Sequence, residues 1–267
     1  MKRKVRAKKC REAAEKVLHD LHINDARSID LETIAWHRGK LKVQYGGLSG
    51  SEGRLVATAN NGGVIRVSDS NNLGRTRFTI AHEIGHFELH LDTIIDRSDD
   101  AQSLMIWNDA SEECEANLFA AELLMPGFLF KQEVNSRTPS IEHLSQLAEK
   151  FQTSMLATAF QYWEYTKEPL AIVISDGWQM TRFNKFKDEI AWIRFGKIHE
   201  HSAAGERLLG ITNDSCGMVQ TPAYAWLEGF EDDNEHYVME DSIYLEYYDR
   251  TITLLWIDEP LDEGTDY

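Results

Sequence analysis

Two histidines, His82 and His86, stand four residues apart in the stretch Arg77-Phe78-Thr79-Ile80-Ala81-His82-Glu83-Ile84-Gly85-His86. If the stretch is helical, that spacing is about one turn, and both imidazoles project from one face where they can reach a single ion. Glu83 then sits beside a ligand, where it can hold a metal-bound water and take its proton. This is the H-E-x-x-H pattern of zinc hydrolases, in which each residue type has a mechanical reason for its place. The bland reading of the same residues is two surface histidines on a helix.

A catalytic zinc needs a third protein ligand and one open position. The segment from Glu112 to Pro126 offers acids beside an apolar stripe: Glu112-Glu113-Cys114-Glu115-Ala116-Asn117-Leu118-Phe119-Ala120. Chemistry alone does not choose among Glu112, Glu113 and Glu115, each of which could be a solvated acid. Glu113 is favoured because Asn117 lies one turn further on. Its amide oxygen could accept a hydrogen bond from a ligand imidazole and so fix the tautomer. Glu113, Asn117 and Ala120 share one face, and small residues there allow the segment to pack close to the histidine helix.

The elements that must position these residues follow from periodicity. Helical spacing predicts helices over residues 5–22, 77–91, 111–125, 140–151 and 154–165, with Asp30 capping a short helix that Gly39 stops. Alternation predicts strands at 41–45, 54–57 and 64–67, forming a small, largely antiparallel sheet. Residues 92–109 read as a polar connection. Beyond residue 168 the pattern turns to strands, at 170–175, 243–247 and 251–257, with Asp176-Gly177 as a hairpin signal. The expected fold is therefore α+β. A zincin-like domain of helices on a small mixed sheet spans 1–167 and includes a helix-turn-helix-like segment at about 127–165. A smaller strand-rich domain spans 168–267.

The motif Arg75-x-Arg77-Phe78-Thr79-Ile80-Ala81-His82-Glu83-Ile84-Gly85-His86-x-x-x-His90, followed by Glu113-x-Glu115-Ala116-Asn117-x-Phe119-Ala120-Ala121-Glu122-Leu123-Leu124-Met125-Pro126, resembles the ImmA/IrrE family of bacterial and phage zinc-peptidase-like proteins. The resemblance is strongest from Arg75 to Pro126. It implies a gluzincin-like site, with Zn²⁺ held by His82, His86 and Glu113 and with Glu83 as general base. Some gluzincins carry an aspartate one turn after the third ligand, where this chain has Asn117. The resemblance also implies a narrow substrate, a helix-turn-helix transcriptional repressor whose cleavage derepresses its genes. The alternative of another class is a non-cleaving zinc-dependent sensor or antitoxin-like binding module. For the substrate, an exposed sheet edge near residues 63–68 is the expected place for strand pairing.

Charge and composition narrow the remaining classes. The formal net charge is −16; residues 1–40 hold 11 Lys+Arg against 6 Asp+Glu, leaving 17 against 38 for the rest. So acidic a body repels phosphate backbones at long range, which disfavours direct DNA binding except through the basic N-terminus. The helix-turn-helix-like segment agrees, because Met155 to Trp163 contains no Lys or Arg. No apolar run approaches a membrane span, and no apolar segment follows the basic start, so a secretory signal is not expected. Three scattered cysteines, Cys10, Cys114 and Cys216, fit a reducing cytoplasm. His90 is expected to pack or cap its helix end. His199-Glu200-His201 could present two ligands on a strand face but has no third partner in view.

Overall fold

The structure is a computed structural model. It describes residues 2–48, 52–58, 62–68, 72–90, 97–99, 112–187, 190–211, 217–230 and 235–258. The chain divides into two compact units, one of residues 1–132 and 147–161 and the other of 133–146 and 162–267.

The first unit opens with helices α1 (Lys2–Asp20) and α2 (Leu31–Gly39). Asp30 caps α2 by accepting from the backbone N–H groups of Glu32 and Thr33, which satisfies two of the donors that a helix start leaves open. Gly39 is the last residue of α2, and it is glycine for room rather than for backbone freedom. The left-handed residue is Lys40 (φ 53°), whereas a Cβ on Gly39 would lie 2.4 Å from the Phe87 ring. Strands β1 (Leu41–Tyr45), β2 (Gly53–Thr58), β3 (Gly62–Val67) and β4 (Arg97–Asp99) form a sheet of order β1-β3-β2-β4. β1 and β3 are parallel, and the other two pairings are antiparallel. This corrects the expectation of a substrate-binding edge near residues 63–68. β3 is hydrogen-bonded on both sides, and the outer strands among the described residues are β1 and β4.

Helices α3 (Leu73–His90) and α4 (Glu112–Leu124) pack against each other and carry the residues of interest. Helix α3 starts four residues earlier than its apolar spacing predicted, with Asn72 Oδ1 accepting from Arg75 N at its start. Apart from β4, the expected polar connection at 92–109 lies outside the described residues. Pro126 ends α4, but a further helix, α5 (Gly127–Val134), begins at once. The buried Glu122 carboxylate accepts from the first N–H of α5, at Gly127, and from Gln161 Nε2. Helices α6 (Ile141–Phe151) and α7 (Met155–Tyr165) follow, near their expected bounds.

The second unit is built on an antiparallel sheet of order β6-β5-β9-β8-β7, made of β5 (Leu170–Asp176), β6 (Gln179–Asn184), β7 (Val219–Pro222), β8 (Tyr237–Leu245) and β9 (Arg250–Trp256). A short helix α8 (Ala203–Leu208) joins them. Ala171, Val173, Met180, Trp226 and Leu255 belong to one apolar core there. Glu240 of β8 is fully buried beside that core. Its carboxylate accepts four hydrogen bonds, from Ala203 N, Ala204 N, Thr221 Oγ1 and Trp226 Nε1, at 2.8–2.9 Å. His199-Glu200-His201 lies in a turn region rather than on a strand; His201 Nδ1 is 2.8 Å from the Tyr224 hydroxyl.

Candidate metal centre

Helix α3 is anchored along its length. Near its start, the Arg75 guanidinium forms a two-pronged pair with Glu52, with Nε to Oε2 and Nη2 to Oε1 both at 2.8 Å. Near its end, Glu88 takes a matching fork from Arg38 at 2.7 and 2.8 Å, and Arg38 also donates to Asp20 at 3.0 Å. Planar forks of this kind fix orientation as well as distance. Between them, Phe78 to Phe87 are buried without a break. Gly85 lets α4 approach closely, since a Cβ there would meet Ala116 O and Phe119 Cδ1 at 3.1 Å.

That approach brings His82, His86 and Glu113 together. His82 Nε2 lies 3.0 Å from His86 Nε2 and 3.2 Å from Glu113 Oε2, and His86 Nε2 lies 3.3 Å from the same oxygen. A tetrahedral ion with nitrogen and oxygen ligands at ordinary bond lengths separates its donor atoms by about 3.3 Å. The triangle therefore suits one small cation, and these three residues form the metal-capable group found among the described residues. Glu112 and Glu115 are not in it. Asn117 Oδ1 is 2.9 Å from His82 Nδ1. With the Nδ1–H donating to that amide oxygen, the lone pair of the neutral ring lies on Nε2, facing the triangle.

The electrostatics follow the geometry. Burial pushes the Glu113 carboxyl up, but His82 and His86, when they carry protons on Nε2, outweigh it by hydrogen bond and charge and hold the group well below the ordinary carboxylate range; a cation in place of those protons acts in the same direction. An anionic Glu113 facing two imidazole nitrogens is a site for positive charge.

Glu83 is fully buried on α3. Its carboxylate fits under the start of β2 only because residue 53 is glycine. A Cβ on Gly53 would lie 2.4 Å from Glu83 Oε1 and 2.6 Å from Thr79 Cγ2. Sequence reading missed Gly53, since Ser51-Glu52-Gly53 reads as an ordinary turn. His90 is turned away from the triangle: its Nε2 sits 3.5 Å from Glu115 Oε2, and its ring centroid is 5.8 Å from that of His86. The buried Cys10 thiol is pushed up to about 12, mainly by burial, so it is not a reactive thiolate.

Residues 38–161 match a peptidase family described as the IrrE N-terminal-like domain. No curated protein matches the chain in sequence. In structure it is similar to a transcriptional regulator of Mycobacterium tuberculosis, with a TM-score of 0.58 and 12% sequence identity over 93% of this chain and 75% of that one. At that identity the likeness concerns fold alone. Among the described residues no helix is long and apolar enough to cross a membrane.

Proposed function

We infer, for a chain whose residues 38–161 belong to the IrrE N-terminal-like family of metallopeptidase domains, that it is a zinc-dependent, site-specific endopeptidase acting in the cytoplasm on a helix-turn-helix repressor. The observation that carries this reading is the triangle of His82 Nε2, His86 Nε2 and Glu113 Oε2 with Glu83 on the same helix. His82, His86 and Glu113 would hold the ion, and Asn117 would fix the His82 ring. A bound zinc supplies Lewis acidity, polarising a peptide carbonyl and making water more acidic. Glu83 accepts the proton of the attacking water and returns it to the leaving nitrogen. Burial under Gly53 restricts the Glu83 carboxylate to one place, so it need not be ordered during the reaction.

The acidic body supports the substrate class. Beyond residue 40 the chain holds 17 Lys+Arg against 38 Asp+Glu, a field that attracts a basic, DNA-binding protein and repels the DNA itself. We assign residues 168–267 a separate role in recognition or control. The test is co-expression with the helix-turn-helix regulators encoded beside the gene, each tagged at both ends, with Glu83→Gln as the control. Expected is loss of one full-length regulator with wild type, persistence with Glu83→Gln at a rate lower by about 10²–10⁴-fold, and equal zinc content. Cleavage by Glu83→Gln at the wild-type rate would remove Glu83 from the mechanism.

A further inference from the structure

We propose that β4 (Arg97–Asp99) is an autoinhibitory strap: it occupies the sheet edge beside the metal centre on which an extended substrate would pair, an inference that rests on the peptidase reading of that centre. In the sheet order β1-β3-β2-β4, β2 is the strand that passes over Glu83. Its first residue, Gly53, packs so closely on the carboxylate that a Cβ there would collide with Glu83 Oε1. β1 lies two strands further on, about 10 Å away at ordinary strand spacing. A peptide that must bring one carbonyl to Glu83 and to the metal-capable triangle is therefore served by the outer edge of β2, not by that of β1. Strand addition at an edge supplies the backbone hydrogen bonds that hold an extended peptide in register. That edge is already taken. β4 pairs with it antiparallel, with Asp99 opposite Gly53, Ser98 opposite Arg54 and Arg97 opposite Leu55.

The catalytic groups are closed as well. His82, Glu83 and His86 are each 0% exposed. A general base must meet both the attacking water and the leaving nitrogen, so turnover requires an opening beside Glu83.

β4 is the neighbour that can leave at least cost. It is an outer strand among the described residues, and three residue pairs join it to β2, where six join β3 to β2. Its departure keeps β2 on β3 and on α3, and it uncovers the backbone donors and acceptors of Gly53 to Leu55 for an incoming strand. Strap and substrate compete for one edge. The apparent affinity for substrate is therefore lowered by the fraction of molecules in which the strap is in place.

The experiment is fluorescence anisotropy of the full chain with a labelled peptide of residues 94–102, the strap's own sequence offered from outside. A Glu83→Gln background keeps the peptide from being cut. Arg97→Pro and Ser98→Pro are added singly and together, and circular dichroism checks that each variant folds. Successive N–H groups of a strand point to opposite sides, so one proline removes a donor to β2 and the other removes a donor that faces outward. Expected is peptide binding tighter by about tenfold or more in the double variant, the same gain in one single variant, and little gain in the other. With Glu83 intact, cleavage of a co-expressed regulator should speed up in the same variants. The peptide measurement needs no catalysis. Absence of cleavage by every protein would sink the peptidase reading, and binding would then decide the strap alone. Equal peptide binding with and without the prolines would overturn the strap. So would slower cleavage in the double variant, since β4 would then be the platform on which the substrate pairs.

Discussion

Each unit of this protein withdraws a glutamate from solvent, Glu240 wholly and Glu113 in part, and the two are treated in opposite ways. Around Glu240 the chain closes four donors onto one carboxylate: two backbone N–H groups, a hydroxyl and an indole. Burial still raises that carboxyl above its ordinary value, and the donors oppose the shift without cancelling it. Around Glu113 the chain brings two imidazole nitrogens and a carboxylate oxygen onto one point. There His82 and His86, when protonated, overcome burial and lower the carboxyl, and a cation in place of those protons does the same. A carboxylate enclosed by donors is complete, and it serves the fold. A carboxylate that converges with imidazole lone pairs is complete only with a cation, and it serves chemistry.

The contrast can be broken by substitution. Glu240→Ala leaves four donors without their acceptor in a closed interior. It should lower the unfolding free energy by about 3–5 kcal/mol, the scale of breaking a buried charged network; denaturant titration measures it, with zinc content unchanged. A loss under about 1 kcal/mol would mean that water or neighbouring groups replace the carboxylate without cost. Next in size is Asn117→Ala, which removes the acceptor from His82 Nδ1. It should weaken zinc binding by about 10- to 100-fold in competition with a chelating dye, with far less effect on folding than Glu240→Ala. The smallest effect is on pH dependence. Because the Glu240 carboxyl is raised in the folded state, that state holds the proton more tightly than the unfolded one. The contribution of Glu240 to stability is therefore fully present below its unfolded value, about 4.3, and declines as pH rises through the raised folded value. The stability of wild type relative to Glu240→Gln should fall over that range, and a rise would reverse the assignment.

What the sequence made legible divides along the same line. His82, Glu83 and His86 could be read because their geometry is local: one helix and one turn fix their relation. Glu113 was not separable from Glu112 and Glu115 by acid chemistry, since all three are the same kind of acid; Asn117 one turn on and the family resemblance favoured it. The choice depends on how α3 and α4 pack, which Gly85 and Ala116 decide. Strand β3 looked like an edge because β2 is its hairpin neighbour in sequence, whereas its second partner is the more distant β1, paired in parallel. Glu240 was invisible. Met239-Glu240-Asp241-Ser242 reads as polar, and nothing local shows that donors from residues 203, 204, 221 and 226 close on it.

The most direct test of the metal centre is the zinc content of purified wild type, Glu113→Ala and Glu115→Ala after reconstitution. Expected is about one zinc per chain in wild type and Glu115→Ala, and loss in Glu113→Ala. Zinc kept in Glu113→Ala, lost only in Glu115→Ala, or absent from wild type would contradict the site built from His82, His86 and Glu113.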